Sequence, residues 1–158
     1  MRLTRYTDYG LRTLIYLGLK PEGLSTVPEI AGCYGISEHH LTKIVGALAH
    51  LGHIRTVRGR NGGFSLARKP EEINLGALVR SLEDNFDLVE CFQANGNSCP
   101  LTPCCPLSGV LREAMNAFLA VLERYTLADI MLPAAPMARA LSLDPPSFLS
   151  LDAQTLPH

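Results

Sequence analysis

The sequence offers no apolar run long enough to cross a bilayer or to form the core of an export signal. Its N-terminal apolar stretch, Leu14 to Leu19, is short and follows Arg2, Arg5, Asp8 and Arg12. A membrane protein is thereby disfavoured, and a cytoplasmic location is expected. A glycine-rich phosphate loop, a nucleophile–base motif and a Cys-x-x-Cys pair are also missing. No nucleotide chemistry, nucleophilic catalysis or dithiol exchange is therefore expected, and the chain reads as a binding protein and not an enzyme. Acidic residues are absent from His39 to Lys69, a stretch that holds Lys43, Arg55, Arg58, Arg60, Arg68 and Lys69. The whole chain has 14 basic and 15 acidic residues, so 8 basic and 15 acidic residues, a net −7, lie outside that block. A basic block on an otherwise acidic chain marks a face for a polyanion.

What is present suits one domain with an appendage: 158 residues, 47% hydrophobic and 18% charged. That composition excludes a wholly disordered chain and a disulfide-stapled miniprotein. Leu11, Leu14, Ile15 and Leu19 share a helical face, which predicts a first helix over residues 4–19, ended by Pro21-Glu22-Gly23. Thr26 and Glu29 have capping-box spacing, so a short helix to Tyr34 follows and Gly35 turns the chain. Ser37 is placed to cap a third helix with Leu41, Ile44, Val45 and Leu48 inward, and Gly52 to end it. Ile54–Arg58 and Phe64–Ala67 flank a turn rich in glycine, Gly59-Arg60-Asn61-Gly62-Gly63, which predicts a hairpin. Helix, tight turn, helix and basic hairpin make a winged helix-turn-helix, and a fourth helix from Asn74 completes a domain over residues 1–84.

Periodicity vanishes over residues 85–107. Ser108 is then placed to cap a long helix over residues 108–132, stopped by Pro133. Within it Leu111, Ala114, Phe118, Val121, Tyr125, Ala128 and Leu132 alternate steps of three and four, a heptad seam suited to pairing with a second copy of the chain. Residues 133–158, with Pro136, Pro145, Pro146 and Pro157, read as a disordered tail.

Two constellations carry chemistry. In a helix-turn-helix the second helix enters the major groove, which here presents Ser37, His39, His40, Thr42 and Lys43, while the hairpin supplies Arg58, Arg60 and Asn61 to phosphate or the minor groove. Double-stranded DNA is the expected partner. Four of the five cysteines, Cys91, Cys99, Cys104 and Cys105, fall within fifteen residues. Thiolates are soft ligands for zinc, copper(I) or iron–sulfur clusters. No tight zinc knuckle is present, whereas clusters tolerate the loose x7 and x5 spacings of Cys91, Cys99 and Cys105. Three thiolates leave one iron ligand unassigned, which suits a reactive, sensing cluster. Cys104, beside Cys105, is an alternative third ligand, and Cys33, on the short second helix, reads as a small core residue.

Several segments together resemble the NsrR/IscR family of bacterial winged-helix regulators: Met1-Arg2-Leu3-Thr4, Thr7-Asp8-Tyr9-Gly10-Leu11-Arg12, Val57 to Phe64, Cys99-Pro100-Leu101-Thr102-Pro103-Cys104-Cys105 and Tyr125-Thr126-Leu127-Ala128-Asp129. The resemblance covers about residues 1–132. It implies a homodimer paired through the long helix, with an iron–sulfur cluster, 4Fe–4S before 2Fe–2S, in the cysteine loop. It is closest to the branch of repressors that sense nitric oxide. That branch implies ligation by Cys91, Cys99 and Cys105 plus Asp8 from the partner subunit, an inverted-repeat operator, and its release when the cluster is nitrosylated. The branch with a histidine ligand has Ser108 at that position here, and the x7 spacing is two residues longer than the resemblance implies. Sensing of iron or cluster supply is the neighbouring expectation. A redox or electron-transfer protein and a cluster-free regulator docking on an enzyme are the others.

Overall fold

The computed structural model describes residues 2–93 and 95–143. Seven helices and one hairpin make up these residues: α1 (Arg5–Leu19), α2 (Val27–Tyr34), α3 (Glu38–His50), β1 (Ile54–Val57), β2 (Gly63–Leu66), α4 (Leu75–Leu82), α5 (Pro106–Leu122), α6 (Leu127–Ile130) and α7 (Ala134–Ala140). Local signals set most boundaries. The Thr4 side chain accepts from the Thr7 amide at the start of α1, while its own amide donates to Glu83 Oε1 at 2.8 Å, tying α1 to the end of α4. Thr26 and Glu29 form the capping box of α2, and Gly35 ends it in the left-handed conformation at φ 63°. Ser37 precedes α3 without a side-chain capping bond.

Leu14, Leu17, Ile30, Leu41, Ile44 and Leu48 bury the inner faces of α1 to α3 in one core that also receives Ile54 and Phe64 of the hairpin. β1 and β2 are antiparallel with Ile54 opposite Leu66 and Val57 opposite Gly63. Phe64 also exchanges two backbone bonds with Ser25, at 2.8 and 2.9 Å, which anchors the wing to the segment before α2. Gly62 lies so close to the Val57 and Gly59 carbonyls that no side chain fits there, so the tight turn needs glycine.

The long helix is shorter than its periodicity suggests. It begins at Pro106, with Cys105 as N-cap, because proline suits the first helical position. Ser108 is inside it, donating its hydroxyl to the Cys105 carbonyl at 2.9 Å. It ends at Leu122, and Thr126 starts α6 with its own capping box to Asp129. Contacts from fifty residues upstream impose this break. Asn74 Nδ2 donates to the Glu123 carbonyl at 2.7 Å, the Leu75 amide to the Tyr125 carbonyl at 2.9 Å, and the Leu127 amide to the Ile73 carbonyl at 2.8 Å. Gly76 permits the approach: a Cβ there would sit 2.8 Å from the Glu123 amide nitrogen. Tyr125 and Ala128 are therefore off α5.

The tail is also corrected in part. Residues 134–140 form a helix, with Ala134 and Ala138 buried and Ala134 and Met137 packed on the main core. Here apolar burial outweighs the proline content. The rest of the expected disordered tail, 144–158, lies outside the described residues.

Candidate nucleic-acid interface and cysteine loop

The polar side of α3 is open. Ser37, His39, His40, Thr42 and Lys43 are all exposed, while Leu41, Ile44, Val45 and Leu48 point inward, so the helix presents only its polar face. Thr42 Oγ1 donates to the Glu38 carbonyl at 2.8 Å. Arg58, Arg60 and Asn61 are exposed on the connection between β1 and β2. The structure thus puts the expected DNA-contacting groups on one reading helix and its wing, with none consumed by the core. One group escaped the sequence reading: Arg5, at the start of α1, lines a cleft of about 250 Å³ with Tyr6, Tyr9, His40 and Lys43. Its position beside a reading helix thirty-five residues away is tertiary, and no spacing signals it.

The cysteine loop, from α4 to α5, has little regular structure beyond a 3-10 turn at Glu90–Phe92. Cys91, in that turn, Cys99 and Cys105 are half-buried, whereas Cys104 and Cys33 are exposed. Cys33, expected in the core, is instead exposed, with its thiol 3.5 Å from the Leu141 carbonyl. The loop has internal order. Asn97 Oδ1 accepts from the Cys99 amide at 3.1 Å, Thr102 Oγ1 donates to the Cys99 carbonyl at 2.9 Å, and the Cys104 amide donates to the Leu101 carbonyl. Ser98 Oγ lies 3.4 Å from Glu90 Oε1, which links the Cys91 and Cys99 segments.

Among the described residues no three His, Cys, Asp or Glu side chains converge as a metal site. Asp8 is not brought to the cysteines of its own chain; it is held by Arg12, with Nε at 3.0 Å and Nη2 at 2.9 Å from its two oxygens. The donor set nevertheless fits an iron–sulfur cluster in kind: three thiols, each half-buried, on one loop.

α5 has two apolar faces. Met115 and Leu119 are buried against Val79 of α4, with Phe118 and Leu122 packed beside them. On the other face Leu107, Val110, Ala114, Ala117 and Val121 alternate steps of three and four and are all exposed; Leu107 is 58%, Val110 60% and Val121 45% accessible. The open seam therefore keeps Ala114 and Val121 of the expected set. Leu111 and Phe118 are half-buried on its flank, nearer the chain's own core.

Comparison with known proteins agrees with this architecture. Residues 3–133 match the family model described as Rrf2, iron-dependent transcriptional regulator. The HTH-type transcriptional regulator NsrR of Halalkalibacterium halodurans is 52% identical over 146 residues, 92% of this chain and all of that one. The protein of the same name from Bacillus subtilis is 51% identical over 132 residues, covering 83% and 90% of the two chains. Among solved structures, IscR of T. potens superposes with a TM-score of 0.66 at 26% identity, over 87% of this chain and 90% of that one. CymR, the global cysteine regulator of B. subtilis, superposes at 0.61 and 29% identity, over 82% and 95%.

Proposed function

Since the chain belongs to the Rrf2 family of iron-dependent transcriptional regulators, we propose that it is a homodimeric repressor that binds an inverted-repeat operator, carries an iron–sulfur cluster and releases DNA in response to nitric oxide. It is a regulator of transcription and not an enzyme. The observation that carries the proposal is that Cys105 caps α5, the helix whose outer face holds the exposed apolar stripe. Thiol ligand and pairing surface thus share one rigid element.

Cys91, Cys99 and Cys105 would hold the cluster. Their half-burial favours them over exposed Cys104 as ligands shielded from solvent. A 4Fe–4S cluster has four iron corners, so three thiolates leave one for Asp8 of the partner subunit. When bound, the cluster supplies iron that reacts with nitric oxide. The Asp8 carboxylate is a hard donor for soft iron, and Arg12 of its own helix competes for both of its oxygens. Lys43, Arg58 and Arg60 neutralise phosphates, and the exposed polar groups of α3 reach base edges. The apolar stripe of α5 pairs the protomers and sets the separation of their reading helices.

The test is an anaerobic visible spectrum together with operator binding before and after nitric oxide. A coloured protein that binds specifically and lets go on exposure to the gas is expected. Cys91→Ala, Cys99→Ala and Cys105→Ala should each lose colour and specific binding together, and Cys104→Ala should keep both. Colour lost in Cys104→Ala but kept in Cys105→Ala overturns the ligand set. Release on iron depletion with indifference to nitric oxide moves the reading to iron sensing.

A further inference from the structure

The basic block from His39 to Lys69 divides between two places in the fold. Lys43, Arg58 and Arg60 lie on the reading helix and the wing connection, but Arg55 and Arg68 stand at the base of the hairpin. There they line a cavity of about 490 Å³, a size suited to small molecules. Its inner wall is apolar, formed by the buried Leu17, Met131 and Ala134 with half-buried Leu66 and Ala128. Its outer wall carries the exposed Arg55, Arg68, Glu71 and Leu132. The space is a cleft open to solvent on its arginine side, at the junction of α1, the hairpin and α6.

Both arginines line the cavity and lack a carboxylate partner among the described residues. Arg55 Nε donates to Ser65 Oγ across the strand pair at 2.9 Å, leaving its remaining guanidinium nitrogens available. The Arg68 guanidinium lies along Gly52, with Nη2 3.3 Å from where a Cβ would stand. Neither forms an ion pair among the described residues, although Glu71 lines the same cavity. Two arginines against one glutamate leave the lining at +1. A guanidinium beside apolar wall selects a carboxylate on an apolar body, because the planar fork matches the carboxylate and the chain fills the remaining space.

We propose that this cavity binds a small amphipathic monocarboxylate, with its carboxylate on Arg55 and Arg68 and its apolar body against Leu17, Leu66 and Met131. The site joins the base of the wing to α1 and α6 and does not involve the cysteines. Binding there is therefore independent of the cysteines.

Octanoate is the probe, titrated calorimetrically into the purified protein. One site per chain is expected, with a Kd of roughly 0.1–1 mM for a ligand of this size. Arg55→Gln and Arg68→Gln should each weaken binding about five-fold or more, and octanol and octylamine should bind at least as poorly as octanoate does to those variants. Ala128→Leu, which narrows the cavity without changing charge, should weaken octanoate as well. The protein with Cys91, Cys99 and Cys105 all replaced by alanine should bind it as the parent does, whether or not the cluster reading holds. No saturable binding, octanol binding as tightly as octanoate, or octanoate affinity unchanged in both arginine variants would each overturn the proposal.

Discussion

His53 is placed where α3 gives way to the wing. Its amide donates to the Leu48 carbonyl and its carbonyl accepts from the Ala67 amide, both at 2.9 Å, so its backbone is locked on both sides. Its Nδ1 is buried with no hydrogen-bond partner. Burial lowers the imidazole pKa below its ordinary value, and the Arg68 guanidinium lowers it further. The unfolded chain, with an ordinary histidine near pH 6.5, then binds a proton that the folded chain resists. Stability must therefore fall as pH drops below about 6.5 and continue falling until the depressed folded value is passed. Melting temperatures at about pH 7.5 and 5.5 check this: His53→Gln, which cannot titrate, should lose less over that interval than the parent protein. An equal loss in both would place the acid sensitivity elsewhere.

Two faces of α5 compete for the description of this helix. At about 100° per residue, the line from Leu107 to Val121 and the line through Met115 and Leu119 lie on different sides, with Leu111 and Phe118 between them. Substitutions should separate the two roles. Val110→Glu puts a charge on a residue already 60% accessible, so the protomer should fold and the dimer should dissociate. Phe118→Ala removes packing beside Val79 and Met115, so it should lower the melting temperature by removing on the order of 2–3 kcal/mol, less than a fully buried aromatic, and leave dimerisation largely intact. Sedimentation of both variants decides. A monomeric Phe118→Ala with a dimeric Val110→Glu would restore the seam read from sequence. That seam shows where sequence legibility stops. Helices α1 to α4 and the wing were readable because the apolar face of α1, the Thr26–Glu29 capping box, the Gly35 turn and the start of α4 at Asn74 are local signals. The break after Leu122 was not, because Ile73, Asn74 and Leu75 impose it from afar. Nor was the division of α5, since one heptad pattern cannot say which apolar face its own domain will claim. The site divides the same way. Exposed polar residues of α3 follow from helical periodicity, whereas Arg5 beside them and the two arginines at the wing base follow only from tertiary packing.

At the scale of the whole molecule, Asp8 is where a local ion pair and an intersubunit role give different magnitudes. Within one chain its carboxylate pairs with Arg12 four residues on, both side chains being more than 40% exposed. An exposed pair at that spacing is worth only about 0.3–0.5 kcal/mol, so Asp8→Ala should barely change the melting temperature of the cluster-free protein. Removing the pair from the Arg12 side, by Arg12→Ala, should change it as little. If Asp8 does nothing more, operator binding should be equally indifferent to both substitutions. If it bridges to the partner subunit's cysteine loop, it fixes the position of α1 in one protomer against α5 in the other. α1 packs on α3, so loss of that bridge shifts the two reading helices relative to each other. A dimer reads half-sites about one helical turn, roughly 34–36 Å, apart, and a small rotation at the centre misplaces both helices. Asp8→Ala should then keep its colour on three thiolates, lose operator affinity at least ten-fold when loaded, and match the parent protein when cluster-free. Arg12→Ala should retain operator binding and respond more sluggishly to nitric oxide, because a competitor for the carboxylate has gone. Anaerobic operator titrations of the loaded and cluster-free forms test this directly. Equal affinity of loaded Asp8→Ala and parent protein would confine Asp8 to its pair with Arg12.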